Sequence, residues 1–334
     1  MAFHQLKQTK IEKSEYINLL PIVRNLNNKA VNQTMAEGIL FSAGTDTSII
    51  AYEAVKNNPS LKALTVEFEH GDPKDTEYVK KMVEFLNLNH EFLIFGHEEM
   101  VAAAEKIVEI RKTFDPMGIR NSIPVYLGLS SLKKKGVKSV FTGDGLDELF
   151  GYPWQFHLSE TEFRQELSNM WNSMQFSSTH IGRAVGVQVK QPFLERTFME
   201  FAKKIPIKLK VNKKDGIIYG KWLIRKAYEG FIPNEVVWRT KVPCEQGTGT
   251  EILPKYFEEI ITNQEFERKK KMILNDDQVN LSTKEQLFYY EIFKRKVGIP
   301  SDVYNLNIGK QCPRCKGYVV EDTIFCRICG AYPI

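Results

Sequence analysis

The sequence contains no apolar run that approaches about 20 residues, the length of a membrane-spanning helix. Its first residues, Met1 to Lys13, are polar and of mixed charge, without the apolar core of a secretory signal. Internal repeats and low-complexity tracts are absent too, so a repeat architecture is not expected. These absences predict a globular protein without membrane contact, and we expect it to be cytoplasmic.

Cysteine is scarce, and of the five cysteines only Cys244 lies outside the C-terminal tail. The six histidines show no metal-ligand spacing, so we expect structural or exposed roles for them. The 334 residues are 43% hydrophobic and 26% charged, which suits one large globular domain with a small appendage. The net charge of +5 is mild; it permits contact with nucleic acid but does not argue for it.

A short apolar run at 39–41 is followed by small and hydroxyl-bearing residues and then by a helix-compatible run at 49–55. This order is typical of a strand, a tight turn and a helix, although many ordinary turns have similar residues. Small residues, hydroxyls and a helix start together suit a polyphosphate. Asp46 would repel phosphate unless a cation lay between them, so we interpret it as a magnesium ligand. The predicted phosphate loop comprises Phe41, Ser42, Ala43, Gly44, Thr45, Asp46, Thr47 and Ser48.

Apolar patterns around this loop alternate between the periods of helices and strands. They predict helices over 15–37, 75–88, 101–112 and 123–135, and further strands over 61–69, 91–95 and 137–142. The alternation predicts an α/β protein with a doubly wound parallel sheet. Ligands of such sheets bind beyond the carboxyl ends of the strands, where the phosphate loop falls.

A second motif follows the strand that ends at Thr142. Two glycines, Gly143 and Gly145, shape a turn, and three carboxylates, those of Asp144, Asp147 and Glu148, crowd a helix start. Acidic residues do favour helix starts, but one cap does not need three of them. The pattern therefore favours a cluster that binds a cation or a substrate ammonium.

Five segments, in this order, resemble the synthetase domain of asparagine synthetase and its relatives, which include β-lactam synthetase. The phosphate loop resembles the SGGxDS loop of N-type ATP pyrophosphatases, without the Gly-Lys-Ser/Thr of a Walker loop. Residues 115–124 resemble YDxxxIRxSxP, 142–152 resemble SGEGSDExFGGY, 186–195 resemble GVEARVPFLD, and 238–249 resemble WRxKxxxxxGxG. The likeness extends from about Glu15 to about Pro300. It implies a sheet of the adenine nucleotide α-hydrolase-like (HUP) type with a helical C-terminal half, in a domain over 1–303.

The resemblance implies that a carboxylate attacks the α-phosphate of ATP, that pyrophosphate leaves, and that an amine displaces AMP from the acyl-adenylate. It places the nucleotide on the phosphate loop and Gly143, and Mg²⁺ on Asp46 and Asp115. Lys241 matches the lysine that neutralises charge on the reacting phosphates. A solvated lysine and a helix cap are the structural alternatives for Lys241 and Asp115, and the motif context favours function for both.

The substrate end of the cleft is also implied by the resemblance. Asp144 and Asp147 would face the substrate there. Arg120 would pair with a substrate carboxylate, or simply with Asp115.

Two departures from the family pattern bear on these roles. Ala43 stands where the first glycine of the loop is usual, which costs about 1 kcal/mol or more if that position needs a positive φ. Lys112 stands where the family has an acid, or a tyrosine in the β-lactam branch, that assists the second half-reaction. A cation there would repel ammonium but hold an anionic substrate. Lys112 could instead point to solvent. Lys112 is therefore a candidate catalytic residue that favours an acyl substrate other than aspartate.

Full-length members of the family begin with a glutaminase domain whose nucleophile is a cysteine at residue two, where this sequence has Ala2. We therefore expect the nitrogen to come from free ammonia, a separate glutaminase subunit or another amine. Cys244 is expected to pack within the loop after Lys241.

The tail carries two Cys-x-x-Cys pairs, each followed closely by glycine, with ten residues between the pairs. Four thiolates in this spacing predict a structural Zn²⁺ site, hence a zinc ribbon over 304–334, whereas a redox site would need only one pair. A tail this short must take its folding energy from the metal. We expect it to lie outside the sheet and to leave the melting of the core domain unchanged. The ligands are Cys312, Cys315, Cys326 and Cys329.

Two alternative functions stay open beside the ligase. One is a nucleotide- or tRNA-modifying enzyme of the same fold, with the ribbon holding RNA; the ribbon and Lys112 favour it, but RNA is not otherwise indicated. The other is a non-catalytic nucleotide-binding scaffold, which Ala43 and Lys112 favour. Retention of Asp46, Asp115 and Lys241 opposes the scaffold.

Overall fold

The computed structural model describes residues 11–304 and 309–334. Its centre is a five-stranded sheet in which every neighbouring pair of strands is parallel. Strand β2 is buried along nearly its whole length because helices cover both faces, as in other parallel sheets. The strands are β1 (Gly38–Leu40), β2 (Lys62–Phe68), β3 (Asn89–Phe95), β4 (Ser139–Phe141) and β5 (Gln188–Lys190).

Helices surround the sheet and form most of the C-terminal half. Among the described residues, none of them combines the length and the apolarity that crossing a membrane requires. They are α1 (Leu19–Thr34), α2 (Thr45–Val55), α3 (Thr76–Leu86), α4 (His97–Arg111), α5 (Pro116–Lys134), α6 (Leu146–Phe150), α7 (Glu160–Ser173), α8 (Ser177–Val185), α9 (Arg196–Lys204), α10 (Ile207–Lys210), α11 (Trp222–Tyr228), α12 (Asn234–Val237), α13 (Cys244–Thr248), α14 (Leu253–Ile260), α15 (Asn263–Asp277), α16 (Lys284–Lys296) and α17 (Pro300–Val303). Two antiparallel hairpins complete the fold: β6 (Val211–Lys214) with β7 (Ile217–Gly220), and β8 (Lys310–Gln311) with β9 (Tyr318–Val319).

The strand order β3-β2-β1-β4-β5 confirms the predicted doubly wound α/β fold and its helical C-terminal half. The order reverses between β1 and β4, and in such sheets the ligand crevice lies beyond the strand ends at this switch point. The phosphate loop follows β1. The motif with the three carboxylates of Asp144, Asp147 and Glu148, called the acidic motif below, follows β4. A Cβ added to Gly143 would lie 3.1 Å from Thr47 Cγ2, so the two segments meet.

Two helix boundaries differ from prediction for local reasons. Helix α1 begins only at Leu19 and tolerates Pro21, because a first-turn N–H has no intrahelical partner to lose. Helix α5 begins at Pro116, well before the predicted start, because the Asp115 carboxylate caps it by accepting from the Gly118 N–H at 3.1 Å.

Alternate residues of the strands enter two buried clusters on opposite faces of the sheet, as the two-residue period requires. Ile39 and Ala63 belong to the first cluster and Leu64 to the second. The second cluster also includes the four tail cysteines. The tail therefore lies outside the sheet, as expected, but shares a core with it. The predicted boundary at 303 stays a prediction, since the joining residues 305–308 lie outside the described ranges.

Candidate functional site

The phosphate loop folds around two hydroxyl groups. Ser42 Oγ lies 3.1 Å from Thr47 Oγ1 and accepts from the Gly44 N–H at 3.3 Å, which closes the turn before α2. Ala43 has φ +50°, so the position where the family has glycine is indeed left-handed. Ser48 Oγ is buried and has no hydrogen-bond partner within the described part of the chain. The loop thus presents an unpaired hydroxyl and the free N–H groups of a helix start, which suit a phosphate.

A chain of ion pairs joins the phosphate loop to the acidic motif. The Lys221 ammonium lies 2.7 Å from both carboxylate oxygens of Asp46 and 2.7 Å from Asp147 Oδ1. Lys241 lies 2.8 Å from the other oxygen, Asp147 Oδ2. Lys221 is 5% exposed and Lys241 37% exposed at the side chain, so the chain of charges runs from the interior to the mouth of the cleft.

This network sets the protonation of its members. Burial alone would raise the pKa of Asp147, but the ammonium groups of Lys221 and Lys241 outweigh it and hold that pKa well below the usual range. The same partnership raises the pKa of Lys241 against the opposing effect of burial. Asp147 therefore stays charged at neutral pH, whereas burial raises the pKa of Asp46 against the opposing effect of the Lys221 ammonium. Lys241 keeps its positive charge, as the predicted role of neutralising phosphate requires.

Asp144 is held apart from this network. Its Oδ2 accepts hydrogen bonds from Thr142 Oγ1 at 2.6 Å, Ser178 Oγ at 2.5 Å and Gln191 Nε2 at 2.9 Å. Three donors on one carboxylate oxygen fix the orientation of the side chain. Asp144 therefore fits an orienting role in the acidic motif.

The predicted residues around the start of α5 lie beneath the tail. Within the described residues, the contacts of Asp115 are with Gly118, Arg111 and the tail's Gly330 rather than with Asp46. Arg120 Nε lies 3.1 Å from Glu285 Oε1 of α16. The structure thus brings together Asp46, Asp147 and Lys241, and places Asp115 at the N-cap of α5 and Arg120 within that helix. Magnesium ligation by Asp115 and substrate binding by Arg120 stay predictions.

Lys112 ends α4 with φ +49°, and its side chain is exposed. Its carbonyl accepts from Tyr304 Oη at 2.6 Å, next to the connection into the tail. Among the described ion pairs, Lys112 takes no part in the network of Asp46 and Asp147. Its predicted role as a substrate anchor is not tested by these contacts. Cys244, expected to pack in its loop, is instead exposed.

A cavity opens beside the ion pairs and shares three of their residues. Its wall is formed by Asp147, Gly151, Pro153, Phe156, Ile218, Tyr219, Gly220, Lys221, Arg225, Thr240 and Lys241. Lys221 is the functional candidate that sequence reasoning missed, since it stands alone between a hairpin and a short helix. Gln191 was missed as well, although it lies inside the 186–195 segment.

The four tail cysteines form a buried cluster that could hold a metal ion. Their sulfur atoms lie within 4.8 Å of one another, with 3.7 Å between Cys312 and Cys329 and 3.8 Å between Cys315 and Cys326. Zinc–thiolate bonds of about 2.3 Å in a tetrahedron place sulfurs about 3.8 Å apart. A disulfide would require about 2.05 Å. The geometry fits the predicted zinc ribbon and excludes two disulfides.

The second Cys-x-x-Cys segment, Cys326 to Gly330, packs against the turn between α4 and α5. The Phe114 N–H donates to the Ile328 carbonyl at 2.8 Å, and Thr113 Oγ1 donates to the Arg327 carbonyl at 2.8 Å. A Cβ on Gly330 would lie 2.4 Å from Asp115 Oδ1, so only glycine fits there. The predicted magnesium ligand is therefore in direct contact with the ribbon.

Fold and ion network together define a doubly wound α/β protein whose candidate site lies at the switch point between β1 and β4. The asparagine synthase family model matches residues 23–180 and 167–310, which is most of the chain. The chain belongs to the asparagine synthase family. This confirms the resemblance noted in the sequence.

Among curated relatives, a glutamine-hydrolyzing asparagine synthetase of Triphysaria versicolor is 27% identical over 285 residues, covering 77% of this chain and 47% of that protein. Glutamine-hydrolyzing asparagine synthetase 1 of Arabidopsis thaliana is 26% identical over 303 residues, covering 83% and 51%. The chain thus spans about half the length of these relatives. Among solved structures, the NMN synthetase of Francisella tularensis is a distant likeness, with a TM-score of 0.37 and 14% identity over 86% of this chain and 95% of that one.

Proposed function

We propose that this chain is an ATP-dependent, AMP-forming carbon–nitrogen ligase of the asparagine synthase type. The observation that carries the proposal is the convergence of Asp46, Asp147, Lys221 and Lys241 beside the phosphate loop at the switch point. Loop donors and lysine charges are arranged where a leaving pyrophosphate would need them. Family membership makes this chemistry the natural use of such a site.

In the proposed reaction a substrate carboxylate oxygen bonds to the α-phosphorus while the bond to the pyrophosphate oxygen breaks. The N–H groups at the start of α2, the Ser48 hydroxyl and the Lys241 ammonium stabilise the charge that develops on the leaving group. Asp46 and Asp115 would hold Mg²⁺, which when bound screens the charge of the phosphates.

In the second half-reaction an amine nitrogen bonds to the acyl carbon, AMP leaves with the bonding electrons, and the amine releases a proton. Asp144, fixed by three donors, would orient the acidic motif around the acyl group. We propose ammonia or another amine as the nitrogen donor, with a separate glutaminase subunit as one source. The acyl substrate is a small-molecule carboxylate.

The proposal that the ribbon instead holds RNA is less well supported. Arg327 donates to Gln175 and to the Ser173 carbonyl near the end of α7, and Arg314 donates to Ser282. Two arginines of the ribbon are therefore already engaged within the chain. A pure scaffold would have no use for a buried network of four charges.

The test is pyrophosphate release with ATP, Mg²⁺ and ammonia across a panel of carboxylates. Asp46→Asn and Lys241→Ala should each abolish substrate-dependent release, the second by roughly 3 kcal/mol if it acts like one oxyanion-type contact. Lys138→Ala, which changes an exposed lysine just before the start of β4 and so at the amino ends of the strands, opposite the candidate site, serves as the control. Two active-site variants that turn over like wild type would defeat the assignment.

The same panel tests Lys112. If Lys112 anchors an anionic substrate through a desolvated contact, Lys112→Glu should weaken the binding of that substrate by about 2–5 kcal/mol. The same change should favour aspartate as the substrate. Efficient asparagine formation by the wild type would show that Lys112 does not set specificity.

A further inference from the structure

The ammonium group of Lys221 occupies the place of a bound cation. Its three N–H donors face three carboxylate oxygens at 2.7 Å, two from Asp46 and one from Asp147. An ammonium has three donors, so this arrangement uses its full capacity. The side chain is 5% exposed, so the three contacts are largely shielded from bulk solvent.

Without a cation these two buried carboxylates would repel each other across the cleft. Carboxylate oxygens are also the ligands that Mg²⁺ prefers. Lys221 and a metal therefore compete for the same atoms of Asp46. The lysine has the advantage of being tethered, so it is present at high effective concentration whenever the cleft is empty.

The backbone conformation of Lys221 is strained. Lys221 has φ +57°, a conformation that side chains other than glycine rarely adopt, and it joins the β6–β7 hairpin to α11. Strained residues of this kind concentrate at sites that change state.

We propose that Lys221 is an internal substitute for the divalent cation and makes metal binding at Asp46 conditional on a polyphosphate. Mg²⁺ alone would have to displace the ammonium from both oxygens of Asp46 and leave it with one buried anion, Asp147, in place of two. Mg²⁺ that arrives with a polyphosphate supplies a new anion for the lysine, so the exchange leaves every charge paired. The inference rests on the proposed function for the identity of the polyphosphate as a nucleotide, but its test needs no turnover.

The experiment compares thermal unfolding in EDTA and in MgCl₂, with no nucleotide present. Wild type should not respond to Mg²⁺ alone but should be stabilised by Mg²⁺ with ATP. Lys221→Met should gain an Mg²⁺-dependent stabilisation with an affinity at least about tenfold above that of wild type, because the metal replaces the ammonium that Asp46 has lost and reduces its repulsion with Asp147. Lys241→Met is the matched control for Mg²⁺ without nucleotide; it removes one partner of Asp147 but keeps Lys221, so Mg²⁺ alone should not stabilise it.

Three outcomes would overturn the proposal: stabilisation of wild type by Mg²⁺ alone, an unresponsive Lys221→Met, or an equal response from Lys241→Met. If Lys221→Met folds poorly, the wild-type arm still decides. The pyrophosphate assay tests the proposed function independently of this proposal. A protein that releases no pyrophosphate could still show the metal response of Lys221→Met.

Discussion

At the level of single residues, Ala43 shows how three small contributions to the free energy of unfolding can cancel. Its φ of +50° costs a non-glycine residue about 1–2 kcal/mol. Its buried methyl group returns about 0.8 kcal/mol, and alanine loses less unfolded-state entropy than glycine by about 0.4–1 kcal/mol. The departure from the family glycine is therefore nearly neutral.

We predict that Ala43→Gly changes the free energy of unfolding by less than about 1 kcal/mol, because the relieved strain offsets the lost methyl group and entropy. Ala43→Val should cost more than about 2 kcal/mol, since a β-branched side chain at positive φ also overfills a closed site. Urea unfolding of the three proteins measures both differences. A gain well above 1 kcal/mol for glycine would mean that the strain is larger than this estimate.

Lys210 is a second residue whose surroundings decide its charge. It is 1% exposed, and its ammonium donates to the carbonyls of Leu149 and Ala202 with no carboxylate partner described. Burial, with a smaller contribution from the Arg164 charge, lowers its pKa to about 7. The unfolded chain, with the ordinary value of 10.5, binds the proton more tightly than the fold does.

Between pH 7 and 10.5 the unfolded state therefore carries more protons at this site than the folded state, and stability should rise with pH across that window. The slope from one such group is at most about 1.4 kcal/mol per pH unit. The stability difference between wild type and Lys210→Met, measured in urea at pH 7, 8 and 9, isolates it from other titrating groups. A pH-independent difference would show that Lys210 stays protonated in the fold.

At the level of elements, direct hydrogen bonds join the predicted zinc ribbon to the α4–α5 turn. The ribbon supplies carbonyl acceptors to Thr113 and Phe114, and its cysteines lie in the same cluster as Phe114 and Phe293. A peptide this short folds only around its metal. Loss of zinc should therefore loosen the start of α5 as well as the tail, contrary to the expectation that the core would melt unchanged.

We predict one zinc per chain in wild type and none in Cys312→Ser/Cys315→Ser, whose melting temperature should fall by several degrees. Metal analysis and calorimetry measure the two quantities. An unchanged melting temperature of the core domain in the metal-free variant would show that the core and the tail unfold independently. A metal other than zinc in the wild type would reject the zinc assignment.

Gly330→Ala refines the same test without touching a ligand. It should retain zinc yet destabilise the protein more than Gly136→Ala does, because the first adds a contact 2.4 Å from Asp115 and the second adds none within 4 Å. The two glycines have matched φ values of +79° and +80°, so the backbone strain cancels in the comparison.

At the scale of the whole molecule, the sheet and the location of its crevice could be predicted because they depend on local periodicity and on the rule that parallel strand ends meet. Asp46 and Asp147 were found that way. Lys221 could not be, since it follows a short hairpin and no spacing connects it to residues 175 positions away. The docking of the ribbon was equally hidden, because the contact of Thr113 with Arg327 spans 214 positions.

Those long separations have a consequence for ligand binding. The phosphate loop and Asp46 precede the centre of the chain, while Lys221 and Lys241 come from the C-terminal half, so one ligand in the crevice must contact both halves. Binding free energy is then shared by both segments.

We predict that Mg²⁺ with ATP slows hydrogen exchange in residues 41–48 and in residues 219–241 at the same ligand concentration. At about 100 times the dissociation constant the stabilisation should approach about 2.7 kcal/mol in both segments. Exchange measured by mass spectrometry resolves them. Asp46→Asn should lose protection in the C-terminal segment too, although Asp46 is remote from it in sequence, because the network is continuous through Lys221. Protection confined to the first segment would mean that the nucleotide binds the loop without engaging the lysines, and that the cleft does not act as one site.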